Sequence, residues 1–306
     1  MTSINKMIDG KMYAGKLLGE IHLQSKEFLK KFNRKPCLTV ILVGDSHASK
    51  IYVKNKILTA NNNGIESKKI LFNSDVSEEE LIKQILILNK DEKVDGILVQ
   101  LPLPKHITEK KILDVINPSK DVDGFHPSNF GKLFMGNPNF VPCTPLGCLY
   151  MLKHEILDIK GKNAVIIGRS NIVGKPMASL LLSSHCSVTI THSKTKNIKE
   201  HTKKADILIV SVGVPEIIDE SFIKPGAIVI DVGINRLEKK INDSSINKRT
   251  IVGDVNYKKV IKIADKVTPV PGGVGPMTVA CLMHNTVKAA YLNKKHNFIN
   301  VLEGFL

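Results

Sequence analysis

Short apolar runs alternate with longer segments of helical period along most of the chain. In the N-terminal half, runs rich in β-branched residues predict three strands, at residues 37–44, 68–72 and 95–102. Residues 46–64 and 77–90, which separate these runs, repeat apolar side chains at the period of a helix. Ser77 followed by Glu80 is a capping-box pattern, which predicts that the second helix begins there. The N-terminal half therefore predicts an α/β domain.

The same alternation continues in the C-terminal half. Predicted strands occupy residues 163–168, 187–191, 205–213 and 227–233. A helix is predicted within residues 142–156, and a last one over residues 278–292. Nearly continuous apolar strands separated by helices are typical of a parallel sheet that is covered on both faces. We therefore predict two α/β domains, the second with a Rossmann-like doubly wound parallel sheet, joined near residues 143–150 with a cleft between them.

Length and composition limit the class of protein. The chain has 306 residues, of which 42% are hydrophobic, enough for a large core and two domains. It has no run of about 18 apolar residues, which argues against a membrane span, and its first residues lack the apolar stretch of a signal peptide. Five cysteines without a CxxC pair argue against a disulfide framework. These features predict a cytoplasmic protein.

The net charge of +15 and the pI near 9.5 allow a nucleic-acid-binding protein. However, the lysines are scattered, aromatic residues make up only 5% of the chain, and no RNP motif or zinc-ligand spacing accompanies them. Heavy use of Lys, Asn and Ile throughout instead indicates a compositional bias, with attraction of small anions as a second explanation. A basic RNA-binding protein stays as an alternative, and we predict no nucleic-acid partner.

A glycine-rich turn in the C-terminal half is the strongest single sign of a cofactor. The segment VIIGRSNIVGKPMASLL runs from a strand through a tight turn into a helix, the place where a dinucleotide fold binds pyrophosphate. It does not match GxGxxG, because Gly168 is followed next by Gly174. Gly168 can nevertheless form the turn, the Ser170 hydroxyl can donate to a phosphate, and Pro176 suits a first helical turn. An ordinary βα turn is the alternative.

The end of the following strand indicates which dinucleotide would bind. An NAD site usually has a carboxylate there, which accepts a hydrogen bond from the ribose. Residues 190–196, ITHSKTK, contain no carboxylate. His192, Ser193 and Lys194 would instead suit a 2′-phosphate, together with Arg169 from the turn. The sequence therefore favours NADP.

Polar residues at the ends of the N-terminal strands predict a ligand site in the other domain. Gln100 ends a buried strand, where open α/β sheets bind their ligands. Asp121 and Asp123 are two apart and would share one side of an extended segment. A metal pair would need further ligands, for which nearby His126 is thin support, so we predict no metal and expect a single Asp to bind an N–H and amino group of a substrate.

Two further segments can be structural or functional. PVPGGVGPMT, residues 269–278, is either a rigid turn or a wall where backbone approaches a flat ligand. Tyr52 and Lys56 are four apart and would share a helix face. Taken alone, this pair fits a solvated lysine beside a half-buried tyrosine better than it fits a catalytic site.

Six segments together resemble one enzyme family: YVKNK, VQLPLP, KDVDGF, GRSNIVGKP, DVGINR and PVPGGVGPMT. In this order and spacing they are similar to bifunctional methylenetetrahydrofolate dehydrogenase/cyclohydrolases of the FolD type, over nearly the whole chain. The resemblance implies oxidation of 5,10-methylenetetrahydrofolate by NADP, hydrolysis of the product to 10-formyltetrahydrofolate, and a homodimer joined through the nucleotide domains. It also implies a folate-binding catalytic domain over residues 1–145 with 280–306, and an NADP-binding domain over 146–279.

The resemblance assigns site residues by motif. The implied catalytic residues are Tyr52, Lys56, Gln100 and Asp123. The implied substrate-binding residues are these same four with Ser49, Val99, Leu101, Pro271, Gly272, Gly273, Val274 and Gly275. The implied cofactor-binding residues are Gly168, Arg169, Ser170, Ile172, Val173, His192, Ser193, Gly213 and Ile234.

The implied chemistry gives Tyr52 and Lys56 separate roles. Hydride transfer needs the folate held in place more than it needs an acid or base, so we assign positioning to Tyr52. Hydrolysis needs a proton acceptor and donor near neutral pH, which we assign to Lys56, with neutral Gln100 orienting it without a counter-charge. Alternatives are a monofunctional dehydrogenase of the same scaffold and a shikimate-type NADP dehydrogenase, which would leave VQLPLP and PGGVGP without a role.

Overall fold

The computed structural model describes residues 6–240, 247–302 and 304. Its helices are α1 (Gly10–Phe32), α2 (His47–Asn62), α3 (Glu78–Lys90), α4 (Glu109–Val115), α5 (Pro127–Phe134), α6 (Cys143–Glu155), α7 (Gly174–Ser183), α8 (Ile198–Thr202), α9 (Tyr257–Val260) and α10 (Val274–Asn293). Its strands are β1 (Cys37–Val43), β2 (Glu66–Phe72), β3 (Gly96–Val99), β4 (Asn163–Ile167), β5 (Ser187–Thr191), β6 (Ile207–Val210), β7 (Ile228–Asp231), β8 (Asn235–Lys240), β9 (Asn247–Val252) and β10 (Lys266–Val267).

The chain divides into two compact units. The first unit consists of Gly15–Cys143 and Val279–Gly304. The second unit consists of Thr144–Thr278 and the N-terminal residues up to Ala14. Among the described residues, no helix is long and apolar enough to cross a membrane.

The first unit is built on a parallel sheet of order β2-β1-β3. Every residue of the central strand β1 is buried, as its unbroken apolar sequence requires. Helix α3 covers the sheet with Leu81, Ile85 and Leu88, which recur at helical spacing and join one core with Ile41 and Ile97. The Ser77 side chain accepts a hydrogen bond from the Glu80 N–H at 3.1 Å, so the predicted start of α3 is confirmed.

The second unit is built on a parallel sheet of order β10-β7-β6-β4-β5. The first strand of this sheet along the chain is β4. Strand β5 pairs on one side of it, and β6 and then β7 lie on its other side. This reversal is the switch point of a doubly wound fold, and it places a crevice at the carboxyl ends of β4 and β6. The predicted α/β class, with a doubly wound parallel sheet in its second half, is confirmed.

Several elements differ from the sequence prediction. Helix α1 was not predicted, because three glycines lower the helix propensity of its sequence. Its buried side chains nevertheless recur at helical spacing, at Leu17, Ile21 and Phe28. Helix α10 begins at Val274, four residues before its predicted start. The antiparallel hairpin β8–β9 was also missed, since polar and charged residues fill most of both strands.

Candidate active site

A lysine occupies the buried face of helix α2. Ser49, Val53, Lys56 and Ala60 lie on one stripe of this helix and are all buried, and Lys56 itself is 8% exposed. An ammonium in such a stripe loses most of its hydration, so it requires polar partners. The helix begins after Ser46, whose side chain faces the Ser49 N–H at 3.5 Å. The buried position of Lys56 separates it from the scattered surface lysines.

Gln100 is the hydrogen-bond partner of Lys56. Lys56 Nζ donates to Gln100 Oε1 at 3.1 Å. Gln100 directly follows β3, and its N–H donates to the Ile41 carbonyl of β1 at 2.9 Å, which fixes its backbone at the edge of the sheet. Its side-chain amide donates to the Leu101 carbonyl at 2.7 Å, so the oxygen is the end that faces Lys56. The pairing expected between these two residues is present in the structure.

Asp123 brings a carboxylate to the same place. Burial raises the pKa of the Asp123 carboxyl, and the charge of Lys56 opposes that rise. The Cys143 thiol, which donates to the Val122 carbonyl at 3.3 Å, also lowers the pKa of this carboxyl. Lys56 therefore has its neutral partner in Gln100, as expected, and the Asp123 carboxyl also lies within electrostatic reach, an interaction that the sequence interpretation did not include.

Asp121 and Asp123 do not face one side of an extended strand, as the sequence spacing suggested. The Gly124 N–H bonds the Asp121 carbonyl at 3.2 Å, so residues 121–124 form a turn. Asp121 is 1% exposed, and its carboxylate accepts from the backbone N–H groups of Gly124, Phe125 and His126 and from Asn129 Nδ2. It is therefore the anchor of this turn. The described residues contain no group of three metal-ligand side chains.

The remaining predicted residues of the first unit surround these groups. Val99 is buried at the end of β3, and Leu101 follows Gln100 half-buried. Tyr52 is half-buried one turn before Lys56 on α2, which leaves part of its ring accessible. Helix α2 and the ends of β1 and β3 thus bring the predicted folate residues of this unit to one edge of its sheet.

The glycine-rich turn of the second unit has no room for a side chain at either of its two glycines, Gly168 and Gly174. Gly168 follows β4 with φ of 131°, and a Cβ on it would lie 2.2 Å from the Ser211 carbonyl oxygen. A Cβ on Gly174, the first residue of α7, would lie 2.2 Å from the Gly168 carbonyl oxygen. Strand end, turn and helix start are therefore in direct backbone contact. This geometry lets a pyrophosphate approach the helix N-terminus.

Ser170 organises the inside of this turn. Its hydroxyl oxygen accepts from the N–H groups of Val173 at 3.1 Å and Gly174 at 3.4 Å, which leaves its own proton for an outside acceptor. Val173 is buried, whereas Ile172 is 40% exposed and forms part of the turn surface. The turn therefore offers a hydroxyl donor and an apolar contact in a cradle of the kind that a dinucleotide requires.

Cationic and polar groups line the ends of β4 and β5. These strands pair in parallel up to Ile167 and Thr191, so Arg169 and His192 emerge at the same edge, where Arg169 and Ser193 are exposed. His192 Nδ1 faces the Lys194 N–H at 3.1 Å, which makes Nδ1 the acceptor and leaves Nε2–H to donate. The residues present fit a 2′-phosphate.

The last predicted residues lie in other loops of the second unit. Gly213 and Ile234 follow β6 and β7, and Ile234 is 43% exposed. Residues 271–273 form the turn before α10, with Gly272 at φ of 108°, and Val274 and Gly275 are the first two residues of that helix. A Cβ on Gly10 would lie 1.8 Å from the Gly273 carbonyl oxygen, so the start of α1 packs directly on this segment.

Two kinds of contributor were not found from the sequence. Cys143, whose thiol lowers the pKa of the Asp123 carboxyl, was interpreted only as part of a helix; its place directly after a buried loop was the available signal. Asp254, discussed below, has no motif of its own, although Gly253 before it indicates a close backbone approach.

The fold and these side chains define a class before any comparison is made. The second unit has the sheet order and turn of a dinucleotide-binding domain. The first unit carries a buried lysine with an amide and a carboxylate, a set typical of acid/base catalysis. The chain is therefore a dinucleotide-dependent enzyme.

Comparison with known proteins identifies the family. Residues 8–123 match the sequence model described as tetrahydrofolate dehydrogenase/cyclohydrolase, catalytic domain. Residues 142–294 match the NAD(P)-binding domain of the same family. The chain belongs to the tetrahydrofolate dehydrogenase/cyclohydrolase family. The predicted family and the predicted nicotinamide cofactor are confirmed, and the shikimate-type alternative is excluded.

Individual relatives match over almost their full length. The bifunctional protein FolD of Acetivibrio thermocellus is 54% identical over 290 residues, which cover 95% of this chain and 98% of the relative. The crystal structure of the bifunctional FolD enzyme from Campylobacter jejuni is similar with a TM-score of 0.87 at 47% identity, covering 93% of this chain and 98% of that one. The Trypanosoma brucei enzyme, solved with NADP cofactor and an inhibitor, has a TM-score of 0.87 at 34% identity, with coverage of 93% and 96%.

Proposed function

We propose that this protein oxidises 5,10-methylenetetrahydrofolate with NADP and then hydrolyses the 5,10-methenyltetrahydrofolate product to 10-formyltetrahydrofolate. The observation that carries the proposal is the buried Lys56, bonded to Gln100 and within the field of Asp123, in a chain that also has a dinucleotide turn. A dehydrogenase alone needs the turn but has no use for a buried acid/base lysine.

In the first reaction the bound NADP accepts a hydride from the methylene carbon of the folate. The chain supplies binding and orientation, since the nitrogen lone pairs of the substrate stabilise the cation that forms. Gly168 and Ser170 hold the pyrophosphate, while Arg169, His192 and Ser193 hold the 2′-phosphate. Tyr52 offers a half-buried ring as a flat surface for the folate.

In the second reaction water forms a bond to the methenyl carbon and loses a proton, and a carbon–nitrogen bond then breaks as that nitrogen gains a proton. Lys56 is the group that takes and returns the proton at Nζ. Gln100 holds Nζ in place through its oxygen, at 3.1 Å. The positive charge of the methenyl substrate itself disfavours a charged lysine beside it.

Asp123 anchors the pterin ring. A carboxylate accepts hydrogen bonds from the ring N–H and the amino group, which is the chemistry that an aminopyrimidine requires. Asp121 fixes the turn that carries it, through three backbone N–H groups. The same carboxylate lies in the field of Lys56, so binding of the pterin and the charge on the lysine are coupled.

The experiment follows the protein spectroscopically with two substrates. With 5,10-methylenetetrahydrofolate and NADP, we expect NADPH to form; with 5,10-methenyltetrahydrofolate alone, we expect decay faster than in buffer. NADPH formation without faster decay indicates the monofunctional dehydrogenase, the second candidate. Activity in neither assay contradicts the proposal.

We also propose that the protein is a homodimer joined through its second units, as the family resemblance implies. Strand β5 is the free edge of the five-stranded sheet, and Ile190 on it is 40% exposed. Leu182 on the adjacent α7 is 65% exposed. An uncovered apolar edge of this kind is suited to pairing. Sedimentation velocity should show a dimer that Ile190→Lys with Leu182→Glu converts to a monomer; an unchanged dimer would place the interface elsewhere.

We place the protein in the cytoplasm. Its five cysteines are all free and buried, which suits a reducing compartment. The anionic substrates and cofactor of the proposed reactions are also metabolites of that compartment. Fractionation of cells that express a tagged chain should recover the protein with cytoplasmic markers.

A further inference from the structure

Two buried carboxylates lie beneath the cofactor turns of the second unit and have no part in the reactions above. Asp254 is 0% exposed and Asp231 is 3% exposed. Asp231 ends β7, and Asp254 lies in the segment that follows the β8–β9 hairpin. Burying a carboxylate is costly unless N–H or cationic groups surround it. The hydrogen-bond partners of the two carboxylates therefore indicate their structural role.

The Asp254 carboxylate joins the two turns that follow β6 and β7. Its Oδ2 accepts from the backbone N–H groups of Val212 at 2.7 Å and Gly213 at 2.9 Å, directly after β6. Its Oδ1 accepts at 2.8 Å from Nδ2 of Asn235, which begins β8 at the end of the turn that follows β7. Each oxygen is thus assigned to a different turn, so one rigid carboxylate fixes both.

Asp231 holds Asp254 in this position. Its Oδ1 accepts from the backbone N–H groups of Gly233 at 2.9 Å and Asp254 at 3.0 Å, and its Oδ2 accepts from Val255 at 2.9 Å. A Cβ on Gly253 would lie 1.8 Å from the Asp231 carboxylate oxygen, so the backbone beside Asp254 is pressed against it. Burial raises the pKa of Asp231 to about 7, and the charge of Asp254 adds to that rise.

The order of the strands indicates which part of the cofactor these turns face. Arg169 and His192, assigned to the 2′-phosphate, follow β4 and β5. Strands β6 and β7 lie on the opposite side of β4. A dinucleotide spans the switch point of such a sheet, so its nicotinamide half lies over β6 and β7. Gly213 and Ile234, on the two turns tied by Asp254, are already assigned to the cofactor.

We propose that Asp254 is a positioning residue for the nicotinamide half of NADP, acting through the turns after β6 and β7. The inference rests on the proposed function, because it requires NADP in this crevice. It adds a residue that touches neither cofactor nor folate. Hydride transfer is sensitive to small displacements of the reacting groups, so a loosened pair of turns impairs oxidation while leaving hydrolysis, which needs no cofactor, in place.

The test compares Asp254→Asn with the wild type in ligand binding and in both reactions. An amide oxygen is a weaker acceptor than a carboxylate for the Val212 and Gly213 N–H groups, and the new N–H2 group faces Asn235, which must turn its own amide to keep a bond. We expect the Kd for NADP to rise about tenfold and the dehydrogenase rate at saturating NADP to fall about tenfold or more. The Kd for 2′,5′-ADP, which lacks the nicotinamide half, should stay within about twofold, as should the cyclohydrolase rate.

Asp206→Asn is the matched control. Asp206 lies directly before β6, at the amino ends of the strands of the same sheet, and accepts from the Asn163 N–H at 2.9 Å and from Lys224 Nζ at 2.6 Å. The same chemical change there should leave both Kd values unchanged. Asn235→Ala, which removes one partner of Asp254, should give a smaller change of the same kind, and its effect should not add fully to that of Asp254→Asn because both remove the same contact.

Equal weakening of NADP and 2′,5′-ADP by Asp254→Asn, or an equal fall in both reaction rates, would overturn the inference and show a general structural role. Unchanged NADP binding and turnover would overturn it as well. If Asp254→Asn fails to fold, the same binding and rate measurements on Asn235→Ala test the inference instead. A wild-type protein without dehydrogenase activity would instead contradict the proposed function, which separates the two failures.

Discussion

Lys56 donates a hydrogen bond from Nζ to Gln100 Oε1 at 3.1 Å and thereby ties helix α2 to the end of β3. The bond joins two βα connections of one sheet, so the position of the lysine is set by the fold and not by its own flexible stem. A buried lysine whose hydrogen-bond acceptor is neutral is suited to exchanging a proton.

Replacement of Lys56 by Met should separate the two activities. Met has similar length and no proton to give, so we expect the cyclohydrolase rate to fall at least about a hundredfold. NADP binds to residues of the other unit, so its Kd should be unchanged. Stopped-flow decay of methenyltetrahydrofolate and calorimetric titration with NADP measure the two effects. A weakened NADP affinity would refute the assigned role.

Gln100→Glu should test the value of a neutral partner. A carboxylate 3.1 Å from Nζ would hold the ammonium in its charged form. We expect the cyclohydrolase rate at pH 7 to fall and its pH–rate profile to move to higher pH. Gln100→Leu, which removes the acceptor without adding charge, is the control and should lower the rate without moving the profile. If the pH–rate profile of Gln100→Glu matched that of the wild type, Gln100 would have no influence on proton exchange at Lys56.

Arg169→Ala should change the choice of cofactor. The guanidinium lies at the edge where β4 and β5 end, with His192 and Ser193 beside it along the sheet. Loss of a charged contact to the 2′-phosphate should raise KM for NADP about ten- to a hundredfold and leave KM for NAD nearly unchanged. Initial rates with both cofactors give the comparison. Equal losses would show that Arg169 does not contact the 2′-phosphate.

Gly174→Ala should damage the cofactor turn. Its Cβ would lie 2.2 Å from the Gly168 carbonyl oxygen, so the turn must open or the helix must shift. We expect NADP affinity to fall by at least about tenfold and the free energy of unfolding by about 1–3 kcal/mol. Gly131→Ala in α5 has open space at its Cβ and is the control, expected to leave both unchanged or slightly raise stability.

His284 should make stability depend on pH in a defined window. Burial, with the charge of Lys288, lowers its pKa from 6.5 to about 4. His284 is therefore protonated near pH 6.5 in the unfolded chain, whereas in the native protein it is protonated only near pH 4. The stability linked to neutral His284 is complete above pH 6.5 and is lost as the pH falls to 4, by on the order of 3 kcal/mol.

Chemical denaturation of His284→Gln against wild type measures this effect. Gln cannot titrate and can still donate to Asn300 Oδ1, which lies 3.0 Å from His284 Nε2. The difference in unfolding free energy between the two proteins should narrow, or reverse in favour of Gln, as the pH falls from 6.5 to 4. A difference that stays constant across the window would show that His284 does not titrate as expected.

The sequence predicted the sheets well because their strands are continuous apolar runs bounded by turns. Helix α1 escaped prediction because its glycines lower local propensity while tertiary burial of Leu17, Ile21 and Phe28 stabilises it. Predicted strands 95–102 and 205–213 are shorter in the structure, at Gly96–Val99 and Ile207–Val210, since residues that continue the apolar pattern bend away at the carboxyl edge.

The site was predictable where residue type and motif coincide, as at Lys56, Gln100 and Gly168. The sequence could not predict site residues whose role depends on the groups that a carboxylate contacts in the folded protein. Asp121 and Asp123 are equivalent by spacing, yet Asp121 binds the N–H groups of its own turn and Asp123 faces the field of Lys56. Asp254 is more remote still, because its partners come from two loops far away in sequence.

The most direct test of the central claim is the decay of 5,10-methenyltetrahydrofolate at neutral pH with no NADP present, followed for wild type and for Lys56→Met. We predict decay well above the buffer rate with wild type and decay at the buffer rate with the variant, whose NADP affinity stays intact. Equal acceleration by both proteins would contradict the account, because the hydrolysis would then not depend on the buried lysine.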